Sequence, residues 1–314
     1  MTHKDQKQDG FVQKIRAALL AATAITGTAQ ATPAAASDAE CTYLADPELS
    51  RFEPEIARHL QTMKRVPSAR LVTEPLQEPQ HFVKACLVSS FQRASTQAKY
   101  DYLDKALLFT ADNSISNVIH EIFHAHQDLG GSLKTVLSPL QKPVLTAQDS
   151  YVAHMLIEAT AAAYTMIVLK QNEHQDPIEY TLYMQGADSY GMGDLFENTF
   201  NQHLKEREKQ RLPYAQAEKE ALEIAGQAIV REMIFGQNDT WRSNYEAAFF
   251  NKVASRDYPL TQGPGYAAMR SDIYTKIGQV TTNFSLTPPE FRTGAIDQTV
   301  RSALKTAPMG LGKF

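Results

Sequence analysis

His120-Glu121-Ile122-Phe123-His124 is the run whose residue types and spacing could do chemistry. On an α-helix, side chains four apart share a face, so both imidazoles can reach one ion. Zinc takes imidazole nitrogen at about 2.0–2.1 Å. Glu121 follows His120 and can turn toward a water on that ion, where a carboxylate serves as general base. A chain with 9 His in 314 residues meets this pattern by chance about 0.02 times. The alternative is a helix with surface histidines and a solvated glutamate. Three local features weigh against it. N-cap residues precede the run and glycines follow it. Ile119, Ile122 and Phe123 make an apolar face beside the ligand face. The short apolar run Ala106–Thr110 lies just upstream, as expected of a sheet edge beside a peptidase cleft.

A catalytic zinc needs a third protein ligand and an open fourth position. Glu158 stands in a stretch, from Val152 to Leu169, that is apolar nearly all round. A carboxylate buried there costs several kcal/mol unless it is paired or bound to metal. The expected metal set is therefore His120, His124 and Glu158 around one Zn2+ per chain, with Glu121 as the catalytic base. His154, one turn before Glu158, is the rival: a ligand, an oxyanion donor, or a hydrogen-bonded core histidine. Gln127 lies near the ligand face and can support it from behind. His126 points elsewhere and reads as structural, and Asp128 as a solvated helix-end acid. Tyr151, Tyr164 and Tyr245 are candidate oxyanion donors. Tyrosines outnumber such roles, so each reads more readily as core.

The elements that must position these residues come next. Asn113 and Ser114 are N-cap types, and a helix is expected from there to about Leu129, stopped by Gly130-Gly131. Further helices are expected near Asp149 to Gln171, Tyr214 to Phe235 and Thr240 to Ala254. Residues 47–65 show a helical stripe of Phe52, Ile56, Leu60 and Met63. Leu71-Val72-Thr73, Phe82 to Phe91 and Ala106–Thr110 read as strands. The expected fold is mainly α (α+β), a zincin-like pair of catalytic helices with a small β-sheet on the N-terminal side. Residues 42–314 read as one metallopeptidase domain, with a core over 105–255 and an extension over 256–314.

Lys4, Lys7, Lys14 and Arg16 precede an uncharged run from Ala17 to Ala31 that ends in Ala29-Gln30-Ala31. Residues 1–31 thus read as a signal peptide and 32–41 as a flexible leader, so the expected location is secreted or periplasmic. No other segment reads as long and apolar enough to span a bilayer. The formal charge of −4 gives no sign of nucleic acid or an anionic membrane as partner. The expected partner is a peptide or protein substrate, with no stable membrane insertion once the signal is removed. Cys41 and Cys86 are the only cysteines, too few for a cysteine-rich zinc site. In an oxidising compartment they are expected to form a disulfide.

The stretch His-Glu-Ile-Phe-His-Ala-His-Gln (120–127), followed by Ile-Glu-Ala-Thr-Ala (157–161), resembles a family of uncharacterised bacterial zinc metallopeptidases. Its members tend to show His-Glu-Leu-Arg-His-Ala-Trp-Gln and then Glu-Ala-Asp-Ala. More broadly it is similar to gluzincins, where His-Glu-x-x-His and a downstream helical Glu hold zinc. The resemblance covers about residues 105–255. It implies that His120, His124 and Glu158 are ligands and Glu121 the base. Two departures stand out: His126 replaces the family's Trp, and Thr160 replaces the Asp of Glu-Ala-Asp-Ala. The resemblance supplies no substrate.

Together these features predict an exported zinc metallopeptidase. Two rivals predict different behaviour. A zinc-binding scaffold would hold metal without turnover. A helical interaction protein with a chance motif would hold no metal at all.

Overall fold

The computed structural model describes residues 40–89, 91, 97–111, 113–137, 143–188, 190–236 and 263–292. The first 39 residues, Tyr245, and the helix expected over 240–254 lie outside the described residues.

The fold is mainly α with a small sheet. In chain order the elements are β1 (Glu40–Tyr43), α1 (Leu49–Phe52), α2 (Pro54–Arg65), α3 (Pro67–Leu76), β2 (Lys84–Leu87), β3 (Ala98–Asp101) and β4 (Ala106–Phe109). Then follow α4 (Ile115–Leu129), α5 (Ser132–Leu137), α6 (Ala147–Asn172), α7 (Pro177–Asp188), α8 (Met192–Lys209) and α9 (Tyr214–Phe235). The last described elements are α10 (Tyr266–Ile277), β5 (Gln279–Thr281), β6 (Phe284–Ser285) and α11 (Pro289–Arg292). The described residues divide into two compact units, those within 1–126 and 164–194 and those within 127–163 and 195–314. Helices α4 and α6 each contribute residues to both.

In the first unit, Pro54 and Pro67 open α2 and α3, where a missing N–H costs nothing. Leu71-Val72-Thr73 is helical, not the expected strand: Ala69, Val72, Thr73 and Leu76 are buried at helical spacing, and that periodicity outweighs a local β-branched run. Of the strand expected over Phe82 to Phe91, Lys84–Leu87 is strand, and Phe82, at a left-handed φ of 54°, lies before it.

The four-stranded sheet runs β1-β2-β4-β3. β1 and β3 pair antiparallel with their neighbours, and β2 and β4 pair parallel. Ala106–Phe109 is thus an interior strand, not the expected sheet edge; the edge nearest the motif in sequence is β3. Ala85, Ala98, Tyr100, Leu107 and Phe109 bury one face of the sheet. Cys41 lies directly opposite Cys86 in the register, and the two form a disulfide.

Helix α4 begins as expected. Ser114 Oγ accepts the Asn117 N–H at 3.3 Å, and Glu179 of α7 accepts that of Ser116 at 3.3 Å. Both satisfy first-turn donors that lack partners in the helix. Gly131, at φ 73°, ends the turn that follows, its N–H donating to the Asp128 carbonyl. Tyr164 of α6 stacks on Phe123 of α4, centroids 4.4 Å apart, and donates its hydroxyl to the Ser68 carbonyl.

In the second unit the first turn of α6 is pinned by α10. Asp149 accepts from Tyr266 Oη at 2.6 Å and from Tyr274 Oη at 3.1 Å, and pairs with Arg270 at 3.5 Å. Burial and the Asp149 carboxylate push the Tyr266 phenol up to about 12. Elsewhere Arg231 of α9 makes a two-pronged pair with Glu290 of α11, at 2.5 and 3.0 Å.

Helix α6 also corrects the reading of apolar segments. Its 26 residues are long and apolar enough to cross a membrane. Yet 94% of its most apolar window is buried inside the protein, so its hydropathy is that of a core helix.

Candidate metal centre

The His120 and His124 rings sit one turn apart on α4, their Nε2 atoms 3.0 Å from each other and the ring planes at 79°. Val118, Ile119, Ile122 and Phe123 are fully buried, which fixes how α4 is rolled and so where both rings point. Two nitrogens held tetrahedrally at 2.0–2.1 Å from one ion stand about 3.3 Å apart, close to the observed spacing. Burial pushes the His120 imidazole down to about 4. It is neutral at physiological pH, the form that binds metal.

Glu158 joins this pair from α6. One donor atom from each of His120, His124 and Glu158 lies within 4.8 Å of the other two. All three residues are buried. Tetrahedral ligation sets donors about 3.3–3.5 Å apart, so the histidine pair would open slightly from 3.0 Å. The donor set therefore fits a divalent metal ion: two neutral imidazoles and one carboxylate, removed from water. The set does not by itself choose among first-row ions.

The other expected site residues are distributed as follows. Glu121 is buried, and its Oε2 accepts the main-chain N–H of Tyr100 at 2.6 Å. Gln127 is also buried. Its Nε2 donates to the Ile157 carbonyl, Thr160 Oγ1 and the Ile277 carbonyl, at 3.2, 2.9 and 3.0 Å. It ties α4 to the residues flanking Glu158. Thr160 also donates to the Leu156 carbonyl. The position where the resembling family carries Asp thus serves helix packing. His154 is buried but is not among the three residues whose donors converge. His126 stacks on Phe123, ring planes at 30°, which fits its structural reading. Tyr151 and Tyr164 are buried core residues.

Two buried interactions have no counterpart in the sequence reading. The Tyr100 amide is a main-chain group, and no residue type announces it. Asp149 read only as a helix start, because its tyrosine partners come from a segment more than a hundred residues away.

No protein-family model, curated protein or solved structure matches the chain.

Proposed function

We propose that the chain is an exported zinc-dependent peptidase that hydrolyses peptide bonds. The observation that carries this reading is the buried convergence of His120, His124 and Glu158 with a glutamate next to the first ligand. The likeness of residues 120–127 and 157–161 to the gluzincin pattern supports zinc as the ion. The Cys41–Cys86 disulfide supports an oxidising compartment, in keeping with a basic and then uncharged segment over 1–31.

The Nε2 pair and the Glu158 carboxylate would hold the ion, their combined charge leaving it net positive. When bound, zinc supplies a Lewis acid and acidifies water toward neutrality. The remaining work belongs to the chain. Glu121 has Oε2 tied to β3 and uses Oε1. That oxygen takes a proton from water as the water oxygen adds to the scissile carbonyl carbon. It returns the proton to the amine nitrogen as the C–N bond breaks. The apolar packing of α4 and α6 excludes bulk water and strengthens each of these interactions.

The test is Glu121→Gln in the full chain. The variant is expected to keep its zinc and lose peptide cleavage by about 10²–10⁴-fold. Cleavage at the wild-type rate would overturn the mechanism.

One observation favours a second reading, a metal-binding protein without turnover. His120, Glu121, His124 and Glu158 are each at most 3% exposed. A cavity of about 310 Å³ beside Leu44, Leu60 and Lys64 includes none of them. Cobalt substitution separates the readings. An open ligand position gives a visible spectrum that shifts on adding azide; a closed site gives one that does not.

A further inference from the structure

We propose that the main-chain N–H of Tyr100, on the edge strand β3, is the group that positions the Glu121 carboxylate. Among the described residues β3 has a neighbour on one side only. In an antiparallel pair, alternate residues turn their N–H and C=O toward the partner. The Gln97 carbonyl accepts the Thr110 N–H at 3.0 Å, so Gln97, Lys99 and Asp101 face β4. Ala98 and Tyr100 face away from it. The outward N–H of an edge strand is ordinarily left to water. Tyr100, however, is only 2% exposed, and a buried amide donor needs a partner inside the protein. The partner is Glu121 Oε2 at 2.6 Å, a length typical of a hydrogen bond to a charged acceptor.

This bond reaches the residue beside the first metal ligand from a strand some twenty positions upstream. It fixes one carboxylate oxygen and so sets the direction of the other. A side-chain donor in this place would be visible in the sequence. A main-chain donor works with every residue except proline, which explains why position 100 carries no signal. The hydrogen bond stands on geometry alone, whereas its positioning role rests on Glu121 as the proton acceptor proposed above.

Amide hydrogen exchange of the full chain, read residue by residue by NMR, tests the bond. The Tyr100 amide should be protected like its ladder neighbours Lys99 and Asp101, and shifted downfield. In Glu121→Ala its exchange should speed up by about tenfold or more, while Lys99 and Asp101 keep their protection. An unprotected Tyr100 amide in the wild type, or one indifferent to Glu121→Ala, overturns the proposal. Tyr100→Pro tests the role. It removes the donor yet spares the ladder, because outward edge positions accept proline. The variant should retain zinc and KM while kcat falls by about tenfold or more. A wild-type kcat overturns the positioning role. If the wild type itself cleaves no peptide, the peptidase reading fails, and the exchange result still decides the bond.

Discussion

Gln127 Nε2 donates to Thr160 Oγ1 across 2.9 Å, joining the helix of the two histidines to the helix of Glu158. Gln127 follows His124 by three residues, and Thr160 follows Glu158 by two. The same amide nitrogen reaches the Ile277 carbonyl at the end of α10. One buried side chain thus sets the register among three helices at the level of His120, His124 and Glu158.

Replacing it tests that role. Gln127→Leu keeps most of the volume but removes the donor to the Ile277 carbonyl, with an expected loss of about 1–3 kcal/mol in unfolding free energy. Affinity for the proposed metal should weaken by about tenfold or more, because the helices that carry its expected ligands lose a shared anchor. Urea unfolding and a chelator competition measure the two. Wild-type values in both would show that the link is idle.

The disulfide gives a second expectation. Cys41 and Cys86 close a loop of 45 residues and tie the edge strand β1 to β2. In the chain-entropy model such a loop contributes about 4 kcal/mol. Reduction, or the double substitution Cys41→Ser with Cys86→Ser, should lower the unfolding free energy by up to that amount. Equal stability of the oxidised and reduced protein would contradict it.

His59 sets a pH dependence. It is buried on α2 and interacts with the main chain of Asn113, just before the cap of α4. Burial holds its imidazole below the usual 6.5. The unfolded chain therefore takes up a proton near pH 6.5 that the folded chain refuses. Stability is full above that pH and declines as pH falls toward the folded value. His59→Gln should flatten the slope of unfolding free energy between about pH 7 and 5, read by urea titration at each pH. A slope equal to that of the wild type would contradict the assignment.

How far the sequence reaches depends on which physical signal each feature leaves. The histidine pair was legible because a spacing of four is a helical property of side chains. Glu158 was legible because an acid in an apolar helix demands a partner. The ends of α4 and α9 were legible because Ser114, Gly131 and Gly236 mark them. Leu71-Val72-Thr73 misled because local β-propensity is weaker than the burial pattern of the helix around it. Ala106–Phe109 was rightly a strand, but strand order is a long-range property, so its interior place was hidden. Helices α7 and α10 were missed because their apolar residues form no single stripe, and α8 because its apolar residues are sparse. In α8 only a few, such as Phe196 and Phe200, face inward. The contacts of Asp149 with Tyr266 and Tyr274, like that of Glu121 with Tyr100, join residues whose partnership exists only after folding.

Metal analysis of the purified full-length protein beside its Glu158→Gln and His124→Ala variants is the most direct test of the metal centre. The expected result is close to one zinc per chain in the wild type and less than about a tenth of that in His124→Ala, with Glu158→Gln sharply reduced. A wild-type protein without zinc, or a Glu158→Gln protein that holds it as firmly as the wild type, would contradict the convergence of these three side chains on one ion.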